Sequence, residues 1–160
     1  DDSGSQFDGA GNNANWWTKE DREKFDERTA KLVAQFDAYA PIADQPDKHV
    51  NGKLTLGENI GDLGGINFAY DAMHAADAGK PDPMIDGLTR DQRFFLNWAH
   101  VWRGNIRDKA QLVLLNTDPH APAKFRANGA PSNMPAFAKA FGCKSGDAMV
   151  RDGDKQVKIW

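Results

Sequence analysis

Residues 56–65 read LGENIGDLGG, and the interpretation of the whole chain starts from this stretch. Glu58 and Asp62 are four residues apart, so a helix would place both carboxylates on one face. Gly64 and Gly65 follow inside the same helical pattern. Each interior glycine costs a helix about 1 kcal/mol relative to alanine, so we expect the pair to permit a close contact with another backbone or a crowded site. The stretch therefore predicts a helix that forms one wall of a metal site.

The acidic pair has two interpretations at this point. It can be a solvated acidic face, or Glu58 can be a metal ligand with Asp62 as its supporting carboxylate. The surrounding segment is apolar and glycine-rich, and no cation lies three or four residues away to pair with either acid. Two carboxylates alone cannot hold a catalytic zinc ion, which takes about three protein ligands.

Composition narrows the class of protein. The chain has 160 residues, of which 40% are hydrophobic and 27% charged, as expected for about one domain with a real core. The net charge is -3 and no basic tract occurs, so we do not expect a nucleic-acid partner. No apolar run approaches the roughly 20 residues that a membrane span needs, and no signal peptide is recognisable.

The first residue and the cysteine count bear on processing of the chain and on its cellular compartment. The chain begins at Asp1 without Met, so we expect a processed, trimmed or partial chain. Cys143 is the single cysteine, which excludes an intrachain disulfide. A reducing cytosol and a bacterial exterior both remain open.

Apolar periodicity and capping signals predict a mainly α chain. Thr18 and Ser132 are plausible N-caps, and the segment from Thr89 to Gln92 matches a capping box. We expect loops at residues 1–15 and at 116–133, the latter with at most one short strand. The predicted helices lie at about 18–40, 57–77, 90–104, 108–116 and 133–141.

A second candidate group lies in the loop 118–122, which reads DPHAP. His120 stands in this loop and Arg126 follows six residues later. A histidine and an arginine presented together can stabilise a developing oxyanion. The alternative is a surface histidine beside an arginine that has no ligand. The other three histidines have no partner at metal-ligand spacing.

Several stretches, in order along almost the whole chain, resemble the neprilysin family of zinc metallopeptidases. Residues 56–65 resemble its Glu-Asn-x-x-Asp-x-Gly-Gly signature. Residues 118–126 are similar to its Asp-x-His-x-Pro-x-x-x-Arg segment, and residues 94–102 to its Phe-Phe-x-x-x-Ala-x-x-Trp helix. The stretches at 1–4, 15–18 and 159–160 resemble, in turn, the sequence after the family's H-E-x-x-H zinc helix, its Trp-Trp pair and its terminal Trp.

The resemblance implies a fold and a metal site. We expect a mainly α chain that forms one domain over 1–160, the C-terminal portion of a gluzincin-type zinc peptidase catalytic domain, with helices joined by long loops. Glu58 would be the third ligand of one Zn²⁺ ion. The other two ligands and the general-base Glu belong to the H-E-x-x-H segment, which this chain lacks.

The resemblance also implies roles for individual side chains. His120 would hydrogen-bond the oxyanion, and Asp62 would act beside it in catalysis by orienting one zinc-bound histidine. Asp1 would orient the other histidine. Three residues would bind substrate, with Arg126 holding the carbonyl just past the scissile bond and two side chains lining an apolar pocket, namely Val101 and Trp102.

The implied function is a zinc-dependent endopeptidase that cleaves peptides on the amino side of hydrophobic residues. Its partners would be peptide substrates and the N-terminal remainder carrying H-E-x-x-H, and the chain alone would be inactive. Val157 stands where animal members have the cysteine that pairs with the equivalent of Cys143, which favours a bacterial member. We expect an extracytoplasmic location, periplasmic or secreted, with the cytoplasm still open. A non-catalytic helical interaction domain derived from such a peptidase is the alternative.

Overall fold

The structure is a computed structural model that describes residues 3–159. Within this range the prediction of a mainly α chain is confirmed, since no β-strand forms and only two isolated bridges occur, Phe7 with Asn13 and Ile85 with Leu88. The α-helices are α1 (Lys19–Asp37), α2 (Leu56–Ala76), α3 (Arg90–Val101), α4 (Asp108–Thr117), α5 (Ala123–Gly129) and α6 (Pro135–Phe141). Short 3₁₀ turns occur at Gly4–Gln6, Pro131–Asn133 and Gly153–Lys155.

Two helix starts follow the predicted capping chemistry. The backbone amide of Asp21 donates to the Thr18 hydroxyl over 3.1 Å at the start of α1. At α3, Gln92 N donates to the Thr89 hydroxyl at 3.2 Å, and Thr89 N donates back to the Gln92 side chain at 3.0 Å. These reciprocal bonds satisfy amides that a helix start leaves without partners.

The helix ends depend more on tertiary contacts. Helix α1 stops at Asp37, before the predicted end at about residue 40. Just beyond it, the Tyr39 carbonyl accepts a hydrogen bond from the distant Val50 amide at 2.9 Å instead of one from a following turn of helix. Helix α3 stops at Val101 and not near 104. Helix α6 stops at Gly142 as predicted, and that glycine has a φ of 66° in the left-handed region.

The prediction of a loop over 116–133 is wrong, because the end of α4, helix α5 and a 3₁₀ turn together occupy more than half of this range. Pro122 stands at the N-cap of α5, where a proline removes no helical hydrogen bond, and Gly129 is its last residue. The two residues therefore bracket a helix. Ser132 is not a cap either, since Met134 is the N-cap of α6 and the Ser132 hydroxyl donates to the Gly129 carbonyl at 2.8 Å.

Helix α1 is the platform of the core. It contacts both α2 and α5, and α3 packs on α5 and α6. The buried apolar side chains come mainly from α1, α2, α3, α5 and the C-terminal tail, while α6 adds partly buried ones. The buried set includes Leu32, Phe36, Ile60, Leu63, Ile66, Phe95, Phe125, Val157 and Ile159. Because α2 carries Glu58 and Asp62 and α5 carries Arg126, α1 fixes where these three residues meet.

The two adjacent glycines lie in different environments, and only Gly65 departs from the expected crowding. Gly64 is buried, but Gly65 is exposed, and a Cβ added there would meet no atom within 4 Å. Close approaches occur at Gly52, where a Cβ would clash with a backbone carbonyl of α1, and at Gly129, where a Cβ would lie 2.7 Å from Cζ of the buried Phe36 ring. It is Gly129 that allows α5 to lie directly against α1.

No helix within residues 3–159 has the length and apolar character that crossing a bilayer requires.

Gly129→Ala should lower the free energy of unfolding by about 1–3 kcal/mol, because the new methyl group overpacks against Phe36. Gly65→Ala is the matched control. It should raise that free energy by up to about 1 kcal/mol, since it removes a helix-interior glycine without a steric cost. Chemical denaturation followed by circular dichroism measures both, and equal losses at the two positions would contradict the packing described.

Candidate functional site

The structure brings together four of the predicted site residues. Glu58 and Asp62 lie on the first two turns of α2, on one face as their spacing predicts. That face is opposed by His120 in the loop before α5 and by Arg126 within α5. Residues from two distant parts of the sequence thus form one charged site.

An ion pair between Arg126 and Asp62 lies at the inner end of this site. Arg126 Nε is 2.7 Å from Asp62 Oδ2, and Nη2 is 2.7 Å from Oδ1, so the contact is bidentate. The side chains are only 13% and 11% exposed. Burial by itself would lower the pKa of Arg126, but hydrogen bonding and charge from Asp62, and then the charge of Glu58, outweigh it and raise the pKa. Arg126 therefore stays charged.

Glu58 lies nearer the opening of the site. Its side chain is 43% exposed, and its Oε2 is 3.2 Å from His120 Nε2 and 3.5 Å from Arg126 Nη2. The charged Arg126 and the ionisable His120 therefore both face Oε2 of a carboxylate side chain that is partly exposed to solvent.

Asp118 is a site residue to which the sequence interpretation assigned no role. Its Oδ1 is 2.7 Å from His120 Nδ1 and also accepts the His120 backbone amide at 2.9 Å. These two hydrogen bonds, the backbone one first, hold the pKa of Asp118 below its ordinary value. The signal was local, because an Asp two residues before a His can form this turn.

The predicted pocket residues occupy different environments. The Trp102 ring lies 4.0 Å from the Arg126 guanidinium carbon, a cation–π contact that supports the ion pair. Its buried indole nitrogen has no hydrogen-bond partner among the described residues. Val101 is exposed. Trp98, also without an assigned role, donates its indole N–H to the Arg126 carbonyl at 3.3 Å.

Residues 3–159 do not by themselves make a zinc site. No group of three or more His, Cys, Asp or Glu side chains in that range is placed to hold a metal ion. The open carboxylate of Glu58 fits the role of a single oxygen ligand, whereas a catalytic zinc needs about three protein ligands. Asp1, predicted to orient a zinc-bound histidine, lies outside the described residues.

The site holds two groups that can donate hydrogen bonds to negative charge, the side chains of Arg126 and His120, in fixed positions. Both groups approach Oε2 of Glu58, and each is also held by a second carboxylate, so their orientation is set before anything binds. Preorganised donors of this kind are most effective where charge develops in a reaction.

Comparison with known proteins matches almost the whole chain to one protein family. The sequence model of Peptidase family M13 matches residues 1–157. Neprilysin-21 of Caenorhabditis elegans is 39% identical over 166 residues, which is 100% of this chain and 21% of that protein. Neutral endopeptidase of Lactococcus lactis subsp. lactis is 39% identical over 160 residues, with 100% and 23% covered.

A solved structure agrees with these relatives. The crystal structure of Mycobacterium tuberculosis zinc metalloprotease ZMP1 in complex with inhibitor is 45% identical, with a TM-score of 0.93. The match covers 100% of this chain and 25% of that one. The chain thus spans about a quarter or less of the length of each of these three proteins.

Asp118→Asn should lower the free energy of unfolding most at pH values above 3.8, the ordinary pKa of this carboxyl group. A folded-state pKa below that value means that the charged group contributes stability there, and the contribution is lost as pH falls through the folded-state pKa. The side chain is near the surface, so we expect a loss of no more than about 1 kcal/mol.

Denaturant unfolding from about pH 6 to about pH 2 measures this effect. The difference between the native chain and Asp118→Asn should shrink toward acid pH, whereas the exposed Asp44, changed to Asn, should show a smaller difference throughout. A difference for Asp118→Asn that grows at acid pH would contradict the bonding described.

Proposed function

The chain belongs to peptidase family M13, and we propose that it forms part of the active site of a zinc-dependent endopeptidase. The observation that carries the proposal is the convergence of Glu58 and Asp62 on α2 with His120 and Arg126 from the segment around α5. We propose further that residues 1–160 form one domain, the C-terminal portion of the catalytic unit, and that an H-E-x-x-H segment completes the site.

Glu58 is the proposed metal ligand of this chain. When bound, zinc would polarise the scissile carbonyl and make a bound water more acidic. The half-exposed carboxylate supports this role because one of its oxygens points to the opening shared with His120. The two remaining ligands and the general base are proposed to come from the H-E-x-x-H segment.

His120 is the proposed donor to the oxyanion. In its protonated form the ring donates from both nitrogens. Asp118 holds Nδ1 at 2.7 Å, which leaves Nε2 directed toward the opening beside Glu58. A ring that is already oriented loses little freedom when it meets the developing charge, which supports a role in catalysis.

Arg126 is the proposed ligand of the substrate carbonyl just past the scissile bond. Its guanidinium has five N–H donors, of which two are committed to Asp62, so others remain for substrate. Asp62 retains further lone pairs and can also orient a zinc-bound histidine. Val101 and Trp102 are proposed to line the pocket for the hydrophobic residue that follows the cleaved bond, which gives cleavage on its amino side.

The surroundings of the enzyme are also part of the proposal. Its substrates would be peptides, and its location extracytoplasmic in a bacterium. In animal members of the family, the position of Val157 is a cysteine that pairs with the equivalent of Cys143. Here Cys143 is free, which supports a bacterial origin.

Glu58→Gln in the enzyme that contains this chain should lower zinc content and kcat/KM together, by at least about tenfold each, because a neutral amide is a poor zinc ligand. Metal analysis of the purified protein and assay of a peptide with a hydrophobic residue after the cleaved bond measure the two effects. The control is Glu23→Gln, which removes an exposed carboxylate on α1 and should change neither. Unchanged zinc and activity in Glu58→Gln would overturn the ligand assignment.

The 160-residue chain alone should bind zinc only weakly and cleave no peptide, since one carboxylate is not a site. Calorimetric titration with zinc and a peptidase assay on the same sample test this expectation. Stoichiometric tight binding with activity in the isolated chain would refute it. Mass analysis shows whether a second polypeptide accompanies the chain.

A further inference from the structure

A buried polar cluster, separate from the charged site, ties the end of α5 to α1. We define this polar cluster as Gln35 of α1 with Ser132 and Asn133, which follow α5. The three residues are 2%, 6% and 4% exposed. Polar groups so deeply buried persist only when they are hydrogen-bonded, so their partners reveal what the cluster holds.

The common partner of the polar cluster is the carbonyl of Gly129. It accepts from Gln35 Nε2 at 3.0 Å, from the Ser132 hydroxyl at 2.8 Å and from Asn133 Nδ2 at 2.9 Å. Gln35 also accepts from Asn133 Nδ2 through its Oε1, at 2.9 Å. Gly129 is the last residue of α5, where a helix leaves carbonyls without internal partners. Side chains of the polar cluster supply the missing donors.

The segment directly after α1 also contacts α5 through aromatic packing. Tyr39 stacks on Phe125 with ring centroids 4.4 Å apart and an interplanar angle of 2°. Gln35 Nε2 lies 2.9 Å from the Tyr39 hydroxyl, so the stack and the polar cluster are joined. Phe125 directly precedes Arg126 in the sequence.

Helix α5 is short, and α3 also holds it through Trp98 and the C-cap residue Trp102, which both contact Arg126. Helix α5 has seven residues and no side-chain hydrogen bond at its N-cap. Arg126 lies one turn before Gly129, and its bidentate contact requires two atoms at 2.7 Å from Asp62 at once. A small shift of α5 along or around its axis would therefore break one of the two bonds.

We propose that Gln35 is a positioning residue for Arg126. It acts through the Gly129 carbonyl and the Tyr39–Phe125 stack, and it sets the place of α5 so that the guanidinium meets Asp62 and presents its remaining donors to the opening of the site. The structural part of this inference stands on the described contacts alone. Its consequence for catalysis rests on the proposed function.

The structural test compares two buried polar residues of α1. Gln35→Leu keeps the side-chain volume approximately but removes its hydrogen bonds. Thr29→Val is the matched control. Thr29 is also buried, and its hydroxyl donates to the Asp26 carbonyl of the same helix and to no other group within residues 3–159. Both changes should reduce stability, but only the first should disturb Arg126.

The readout is nuclear magnetic resonance of two side-chain N–H groups in the 160-residue chain, Arg126 Nε–H, which donates to Asp62, and Trp98 Nε1–H, which donates to the Arg126 carbonyl. Gln35→Leu should shift both signals, and Thr29→Val neither. Ser132→Ala removes another donor to Gly129 and should shift them in the same direction by less, which keeps the test decisive if Gln35→Leu does not fold. Signals that move no more in the cluster variants than in Thr29→Val would overturn the proposal.

The catalytic test is a double-mutant cycle in the enzyme that contains this chain. Gln35→Leu should lower kcat/KM about tenfold when Arg126 is present, since displacement of a substrate-positioning group is costly. It should have almost no effect in an Arg126→Ala background, because residues acting through one another are not additive. Equal losses in both backgrounds would show a general structural role and refute the proposal. An enzyme without peptidase activity would contradict the proposed function, while the resonance experiment would still decide the positioning role.

Discussion

The bidentate ion pair between Arg126 and Asp62 is the interaction on which the candidate site depends. It joins residues 64 positions apart and holds α2 against α5. Both side chains are largely removed from water, so the loss of either partner would leave a charge without compensation in a poorly solvated place. The stacked Trp102 ring and the neighbouring Glu58 surround the same guanidinium. The contacts of Trp102 and Glu58 with Arg126 therefore depend on a charge that this pair keeps in position.

The site contains more carboxylates than cationic groups, which suits the proposed binding of a metal ion by Glu58. Three carboxylates, those of Glu58, Asp62 and Asp118, face one arginine and one histidine. Asp62 and Asp118 are engaged in short hydrogen bonds, whereas Glu58 makes longer contacts and remains half-exposed. Glu58 is therefore the carboxylate most available to a cation from outside the described residues, and the two engaged acids orient the groups beside it.

The scaffold and the site are linked through α1. Phe36 accommodates α5 only because Gly129 has no side chain, and Gln35 bonds the carbonyl of that same glycine. Gly129 thus permits close packing because it has no Cβ, and its carbonyl accepts the hydrogen bonds at the end of α5. A change in this region affects the stability of the core and the position of Arg126 together, which is why the two effects need separate measurements.

The sequence by itself determined the features that depend on neighbouring residues. Hydrogen bonds at Thr18 and Thr89 span three residues, and the shared face of Glu58 and Asp62 follows from helical spacing, so local geometry was sufficient for both. The tertiary structure alone decided that α5 forms between Pro122 and Gly129, that Gly65 is exposed, and that Asp62 pairs with Arg126. These outcomes depend on which distant segments pack together. Pro122 and Gly129 are compatible with the two ends of a helix as well as with a loop, and burial of α5 against α1 favours the helix.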